Sequence, residues 1–203
     1  MPNGRHEANL PSIVLGYHGC DRSVADQAIS GSGHLRSSRN DYDWLGTGVY
    51  FWEADPTRAQ EWAEDLRRRG AIRRPAVVGA IIDLGLCLNL LDRAYLKLTR
   101  DAFDDLAALT ARTGRALPTN ADLPGRTGLL LRRLDCAVIN YCREQRAKSR
   151  PDLPPFDTVR AAFVEGEPLY PSAGFNDRNH IQLCVVNPRC IKGYFRPLAG
   201  GAA

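Results

Sequence analysis

Gly16-Tyr17-His18-Gly19-Cys20 closes an apolar run that begins at Ile13, and Leu45-Gly46-Thr47-Gly48-Val49-Tyr50-Phe51-Trp52-Glu53 follows it after a polar interval. The first run, Ile13 to His18, stops at a turn-like Gly-Cys-Asp, which predicts a strand. The second, Gly48 to Glu53, is rich in aromatic and β-branched residues and predicts another. Near the C-terminus, His180-Ile181-Gln182-Leu183-Cys184-Val185-Val186 supplies a third strand over Ile181 to Val186. Beyond Asn187-Pro188, Ile191 to Phe195 supplies a last one.

Working outward from these strands, Val24 to Ser30 reads as a short helix closed by Gly31-Ser32-Gly33. Leu35 to Trp44 is polar and irregular. Asp55 as N-cap and Pro56 at the first helical position open a helix whose apolar residues Ala59, Trp62, Ala63 and Leu66 recur at helical spacing. Gly70 ends it. Ala76 to Leu84 is a long buried strand, Val159 to Glu165 another, and Gly166 to Asn179 a loop. From Asp92 to Ser149 the pattern is helical. Asp101 to Thr113 is amphipathic and ended by Gly114, and a loop runs from Arg115 to Arg126. Thr127 then caps a second helix striped by Leu130, Leu134, Val138, Tyr141 and Cys142, with Arg132, Arg133, Arg143 and Arg146 largely on its other faces. Arg150-Pro151-Asp152-Leu153-Pro154-Pro155 is an extended linker. The alternation is that of a mixed α/β chain.

A chain of 203 residues suits one domain with a core of its own. No apolar run reaches the roughly 18 residues of a membrane span, and the start MPNGRHEANLPS lacks the layout of a secretory signal. A cytoplasmic protein without a membrane partner is the expectation. The cysteines, at 20, 87, 136, 142, 184 and 190, form no C-x-x-C pair, and no His lies at zinc-finger spacing. They read as free buried thiols, with no metal expected; Cys20, beside His18, is reactive only if exposed. The net charge of +4 is unevenly placed. Leu66 to Arg74 holds five Arg, and Arg93 to Arg150 holds twelve basic against six acidic residues. Such faces suit RNA, DNA or an acidic protein, or are solvated helix surface.

Taken together, Tyr17-His18-Gly19, Gly46 to Phe51 and His180 to Val186 resemble the NAD-binding core of the ADP-ribosyltransferase superfamily. The branch is that of diphtheria toxin and the poly(ADP-ribose) polymerases, whose signature is His, Tyr and Glu on three separate strands. Tyr42-Asp43-Trp44-Leu45-Gly46 through Glu53 is similar to a bacterial toxin-like member. The resemblance covers roughly the first 85 residues and the last 45, whereas Asp92 to Pro155 matches nothing in it. It implies a single domain over residues 1–203: a split, mainly antiparallel sheet forming an NAD cleft, with a helical insertion at about 92–155.

The resemblance also implies roles. His18 bonds a ribose hydroxyl of the adenosine half, and Gly19 offers its backbone to the nicotinamide carboxamide, where a side chain would block close approach. Tyr50 stacks on the nicotinamide ring, delivered by a turn that Gly46 and Gly48 bracket. Cys20, Gly48, Arg58 and Trp62 join His18, Gly19 and Tyr50 as cofactor-binding candidates. Trp52, on the strand face of Tyr50, is a second aromatic or a core residue. The third catalytic position, with His18 and Tyr50, is Gln182, where the family usually has Glu. Gln keeps the hydrogen-bonding reach but has no charge and cannot act as a base, so polymer synthesis is not expected.

Glu53, Glu165 and Glu167 are candidate helpers; His180 is read as turned away from Gln182. Glu165, Glu167, Tyr170 and Phe175 belong to the region that reads the acceptor. Glu165-Gly166-Glu167 also matches the Glu-x-Glu of the arginine-directed toxin branch. That branch's early Arg and Ser-Thr-Ser strand are replaced here by Gly16-Tyr17-His18 and Gly48-Val49-Tyr50, so the His-Tyr branch fits better. The implied activity is NAD-dependent mono-ADP-ribosyl transfer to a protein or nucleic-acid acceptor, as a toxin or defence effector with an antitoxin or immunity partner. The alternatives are an NAD glycohydrolase and a catalytically silent module that binds NAD or nucleic acid.

Overall fold

The computed structural model describes residues 12–123, 126–149 and 152–198, with side chains described outside 123–130 and 149. The first residues of the chain, Arg150-Pro151 of the predicted linker and the C-terminal tail lie outside the described residues.

Each helix with a described start begins where a side chain satisfies the free N–H groups of its first turn. Strand β1 (Ile13–Asp21) runs straight into α1 (Arg22–Ser30) because the Asp21 carboxylate accepts from the Ser23 N–H. Gly31, in the left-handed conformation with φ 74°, ends that helix. After β2 (Val49–Glu53), Asp55 accepts from the Arg58 N–H and opens α2 (Pro56–Arg68). Strands β3 (Pro75–Asp83) and β4 (Cys87–Asn89) follow. Asp92 then caps α3 (Arg93–Arg112), so the helix starts where the helical pattern does and the amphipathic stretch from Asp101 is its later part.

The larger departure lies at 120–132. Where a loop and the start of a Thr127-capped helix are expected, β5 (Asn120–Leu123) and β6 (Arg126–Arg132) form an antiparallel hairpin. Helix α4 (Arg133–Ser149) starts only after it. The role expected of Thr127 falls to Asn120, whose Oδ1 accepts from the N–H groups of Leu134 at 2.9 Å and Asp135 at 3.3 Å. The insertion is therefore two helices and a hairpin, not helix alone. Strands β7 (Thr158–Phe163), β8 (His180–Val185) and β9 (Ile191–Phe195) complete the chain.

The result is a mixed α/β protein with an open sheet of order β4-β7-β8-β2-β1-β3-β9. Only β4 and β7 pair in parallel; the other neighbours are antiparallel. Phe51, Val78, Ala80, Ile82, Leu183 and Val185 form a core on one face with Ala25 and Ala28 of α1. On the other face Leu45, Val159, Ala161 and Cys184 pack with Ala102 of α3 and Ile139 and Cys142 of α4. The insertion is thus part of the second core.

The junction of β1 and β2 positions the site. β1 pairs with β3 from Ile13 to Asp21, but with β2 only at Gly16–Glu53 and Tyr17–Trp52. The sheet is one hydrogen-bonded series, and the expected split is confined to this short junction. The Leu15 carbonyl accepts from the Ala54 N–H at 2.8 Å, so Leu15 directs its backbone groups toward β2. Backbone groups alternate along a strand. Gly19, four residues on, therefore directs its N–H and C=O to the same side, past the point where β2 pairing stops.

Candidate functional site

A cavity of about 470 Å³ opens beside this junction, on the face covered by α4. β1 contributes His18, β2 contributes Tyr50 and Trp52, and β8 contributes His180 and Gln182. α2 adds Arg58 and Trp62, its C-cap adds Arg69, β6 adds Arg132, and the irregular segment before β2 adds Arg36, Asp43 and Trp44.

The His18 ring spans the gap. Its Nδ1 lies 2.7 Å from the Tyr50 carbonyl oxygen. A carbonyl only accepts, so Nδ1 carries the proton. Burial lowers the ring's pKa and outweighs the raising effect of that bond. The neutral ring then leaves Nε2 as an acceptor.

Tyr50 is fixed by its own turn. Its hydroxyl accepts from the Leu45 N–H at 3.0 Å and donates to the Gly46 carbonyl at 2.8 Å. Burial pushes the phenol far above its ordinary value, so it does not serve as a base. The turn is braced by the insertion: the Thr47 N–H donates to Asn140 Oδ1 at 3.0 Å and Arg143 donates to the Thr47 carbonyl at 3.0 Å. Gly46 has φ 78°, and a Cβ there would meet Asn140 Oδ1 at 2.5 Å.

Gln182 pairs with Trp52 in β2 and Ala161 in β7, and its Oε1 accepts from the Trp44 indole N–H. Around it the aromatic residues are dense. Trp52 lies 6.0 Å from Trp62 and 6.2 Å from His180 between ring centroids. The Arg132 guanidinium lies 5.2 Å from the Trp44 ring centroid and 4.5 Å from that of Phe163. Arg58, 8% exposed, stacks on Trp52 at 5.8 Å and donates to both Glu165 oxygens, at 2.9 and 2.7 Å. Three buried donors of the wall, Trp52 Nε1, Arg58 Nε and Arg132 Nε, have no hydrogen-bond partner among the described residues.

The structure brings together His18, Tyr50, Gln182, Arg58, Trp62 and Glu165 of the predicted residues. It corrects the reading of His180. Strand side chains alternate with period two, so His180 and Gln182 share a face, and both line the cavity. Trp52 is both buried, at 5% exposure, and part of the wall.

Other named residues lie elsewhere. Gly19 does not line the cavity; the missing side chain admits helix α2, because a Cβ would stand 2.1 Å from the Ala59 carbonyl oxygen. Gly48 makes room for Cys184, whose Sγ would lie 2.3 Å from a Cβ. Cys20 is packed in the α1 core and burial pushes its thiol up to about 11, so it is neither a ligand contact nor a nucleophile. Glu53 is held by Arg160 at 2.6 and 2.8 Å, outside the cavity wall. Glu167, Tyr170 and Phe175 belong to a hairpin-like excursion closed by the Leu169 N–H to the Phe175 carbonyl, 3.0 Å, and the Asp177 N–H to the Glu167 carbonyl, 3.0 Å. Tyr170 and Phe175 are 57% and 63% exposed there.

The cavity's carboxylates are engaged: Glu165 by Arg58, Asp65 by Arg68, and Asp43 by the Asn40 N–H. Sequence reasoning missed Trp44, Arg36, Arg69, Phe163 and Arg132 as wall residues. Alternation from Gln182 to His180, and across to Phe163, was the available signal for part of the wall; Trp44 sits in a segment without periodicity.

A larger open groove, about 1070 Å³, runs along the outer side of α2. Its arginines are largely paired, Arg67 with Glu64, Arg68 with Asp65 and Arg196 with Asp26. It carries no comparable convergence of groups. No helix among the described residues is long and apolar enough to cross a membrane. In comparisons with protein-family models, with curated proteins and with solved structures, no match to this chain was found.

Proposed function

We propose that this chain is an NAD-dependent mono-ADP-ribosyltransferase that uses the cavity at the β1–β2 junction. The observation that carries the reading is the convergence of His18, Tyr50 and Gln182, from three strands, on that one cavity. A volume of about 470 Å³ lies within the range of small-molecule sites. NAD supplies the N-glycosidic bond whose cleavage releases nicotinamide.

The chain's own groups meet its parts. His18 Nε2 accepts from a ribose hydroxyl. Gly19 stands outside the cavity wall, one residue beyond His18, and turns its N–H and C=O to the unpaired side of β1, so it suits a carboxamide only where the nicotinamide reaches past the wall. The Tyr50 ring offers a flat aromatic face to the nicotinamide. Gln182 orients the ribose. None of these groups withdraws a proton from an acceptor, and the cavity's carboxylates are already bonded. The acceptor must then be a good nucleophile, on a protein or a nucleic acid, presented beside Glu165 and the 166–179 loop. The second reading takes water as the acceptor, which is abundant and needs no recognition surface, and makes the chain an NAD glycohydrolase.

The test is incubation of the pure protein with labelled NAD and a cell extract, followed by separation of protein from nucleic acid. Transfer is expected to label one fraction and to fall at least about 100-fold in Tyr50→Ala, the scale at which lost positioning acts. Free nicotinamide without labelled macromolecule points to the glycohydrolase. Full activity in a folded Tyr50→Ala protein removes the site assignment.

A further inference from the structure

Gln182 is an ambiguous group by itself. Its amide has an acceptor end and a donor end, and either fits a ribose hydroxyl. The Trp44 indole resolves the ambiguity. An indole N–H only donates, so the amide atom facing it must be the carbonyl oxygen Oε1, as the hydrogen bond from Trp44 Nε1 shows. The other end, Nε2, has no hydrogen-bond partner among the described residues, and both side chains line the cavity. Trp44 is in turn held: its ring packs edge-on against Phe163 at 4.9 Å and lies under the Arg132 guanidinium at 5.2 Å. Phe163 and Gln182 sit on neighbouring strands, and Arg132 ends the β6 hairpin.

We propose that Trp44 is a positioning residue that fixes the orientation of the Gln182 amide, so that the site presents an N–H donor, and not a carbonyl, to the bound ligand. The inference rests on the ADP-ribosyl reading only for the identity of that ligand. Its chemical consequence is specific. A donor at this position bonds a ribose oxygen but cannot take the hydroxyl's proton. A carboxylate at position 182 would keep one oxygen on the indole and turn the other, an acceptor, to the same ribose.

The experiment separates the bond from the activity. In Gln182→Glu, and in Trp44→Phe combined with Gln182→Glu, the introduced carboxyl is titrated by carbon NMR in the absence of NAD. Phe keeps an aromatic ring against Phe163 and Arg132 while removing the N–H. Arg58, Arg132, His180 and Glu165 line the cavity in both variants, so their effects cancel to first order. The introduced carboxyl is expected to titrate at lower pH with Trp44 present, because a donor favours the charged form. Equal titration in the two variants overturns the proposal.

Nicotinamide release is then measured for the parent protein and the single Trp44→Phe variant. A kcat reduced about fivefold to tenfold, with KM changed less than about twofold, is expected from loss of one neutral positioning bond. An unchanged kcat overturns the positioning role. A Trp44-dependent titration in a protein that neither binds nor cleaves NAD supports the orientation of the amide and overturns the ADP-ribosyl reading instead.

Discussion

Tyr50 carries two separable contributions, one in its ring and one in its hydroxyl. The ring lines the cavity, whereas the hydroxyl faces the turn that precedes its own strand, accepting from Leu45 and donating to Gly46. Tyr50→Phe keeps the ring, strands the buried Leu45 N–H and leaves the Gly46 carbonyl with only the weak Cys184 thiol donor at 3.7 Å. It is expected to cost about 1–3 kcal/mol and to lower Tm by several degrees, read by calorimetry, while NAD binding stays within a few fold. A variant as stable as the parent shows that the turn finds other partners. His18 combines its roles in one ring. Nδ1 ties β1 to β2 across the gap, and Nε2 is the end left for a ligand.

At the scale of elements, the opening depends on how closely α2 sits on β1. Gly19 is the contact point, and Gly19→Ala forces a Cβ to within 2.1 Å of the Ala59 carbonyl oxygen. Helix and strand must separate, at a cost on the order of 3 kcal/mol, seen as a lower urea midpoint with an unchanged slope. A variant that melts like the parent means the helix shifts freely. The brace from α4 is a second such contact. Asn140→Ala leaves the Thr47 N–H without its partner and frees Arg143 from one of its two acceptors. About 1–3 kcal/mol is expected to be lost, with weaker NAD binding because the loosened turn carries Tyr50. Binding unchanged in a destabilised protein confines the brace to stability.

Legibility followed the same physics. The helices α1 and α2 were readable because Asp55-Pro56 and Gly31 act locally, and local groups appear in order in the sequence; the Asp21 cap was not read, and α1 begins two residues before the expected Val24. The strands around the site were readable from apolar runs bounded by turn residues. The hairpin at 120–132 was not, because a short run such as Gly128-Leu129-Leu130-Leu131 suits strand or helix equally. The deciding groups, Asn120 with the Leu134 and Asp135 N–H groups, are set together by tertiary structure. His18, Tyr50 and Gln182 were nameable from their motifs. Trp44 and Arg132 were not, since they reach the wall from an irregular segment and from the end of the unpredicted hairpin. The basic surplus of the insertion also changed meaning. Arg143 braces the turn, Arg132 covers Trp44 and Phe163, and Arg146 donates to the Pro154 carbonyl at 2.6 Å.

The whole molecule registers pH through groups at the two ends of its sheet opening. Burial lowers the pKa of both His18 and His180 from the ordinary 6.5. Below pH 6.5 the unfolded chain takes up protons that the folded cavity resists, so ν_U exceeds ν_N and stability rises with pH across that window. The stabilisation is present above 6.5 and lost as pH falls beneath it, by at most about 1.4 kcal/mol per pH unit for each histidine. Asp21 acts lower down. Its carboxylate accepts from the N–H groups of Arg74, Ser23 and Arg73, which hold it well below its ordinary 3.8, so its stabilising effect disappears only in stronger acid. Urea midpoints measured from pH 7.5 to pH 5 are therefore expected to fall with acid, and the fall is expected to be shallower in His18→Gln, which does not titrate. A midpoint indifferent to pH across that range, or one equally steep in His18→Gln, means that His18 is as easily protonated in the folded protein as in the unfolded chain. The neutral ring, and with it the acceptor at Nε2 that the proposed ribose contact requires, would then be lost below about pH 6.5 instead of persisting into acid.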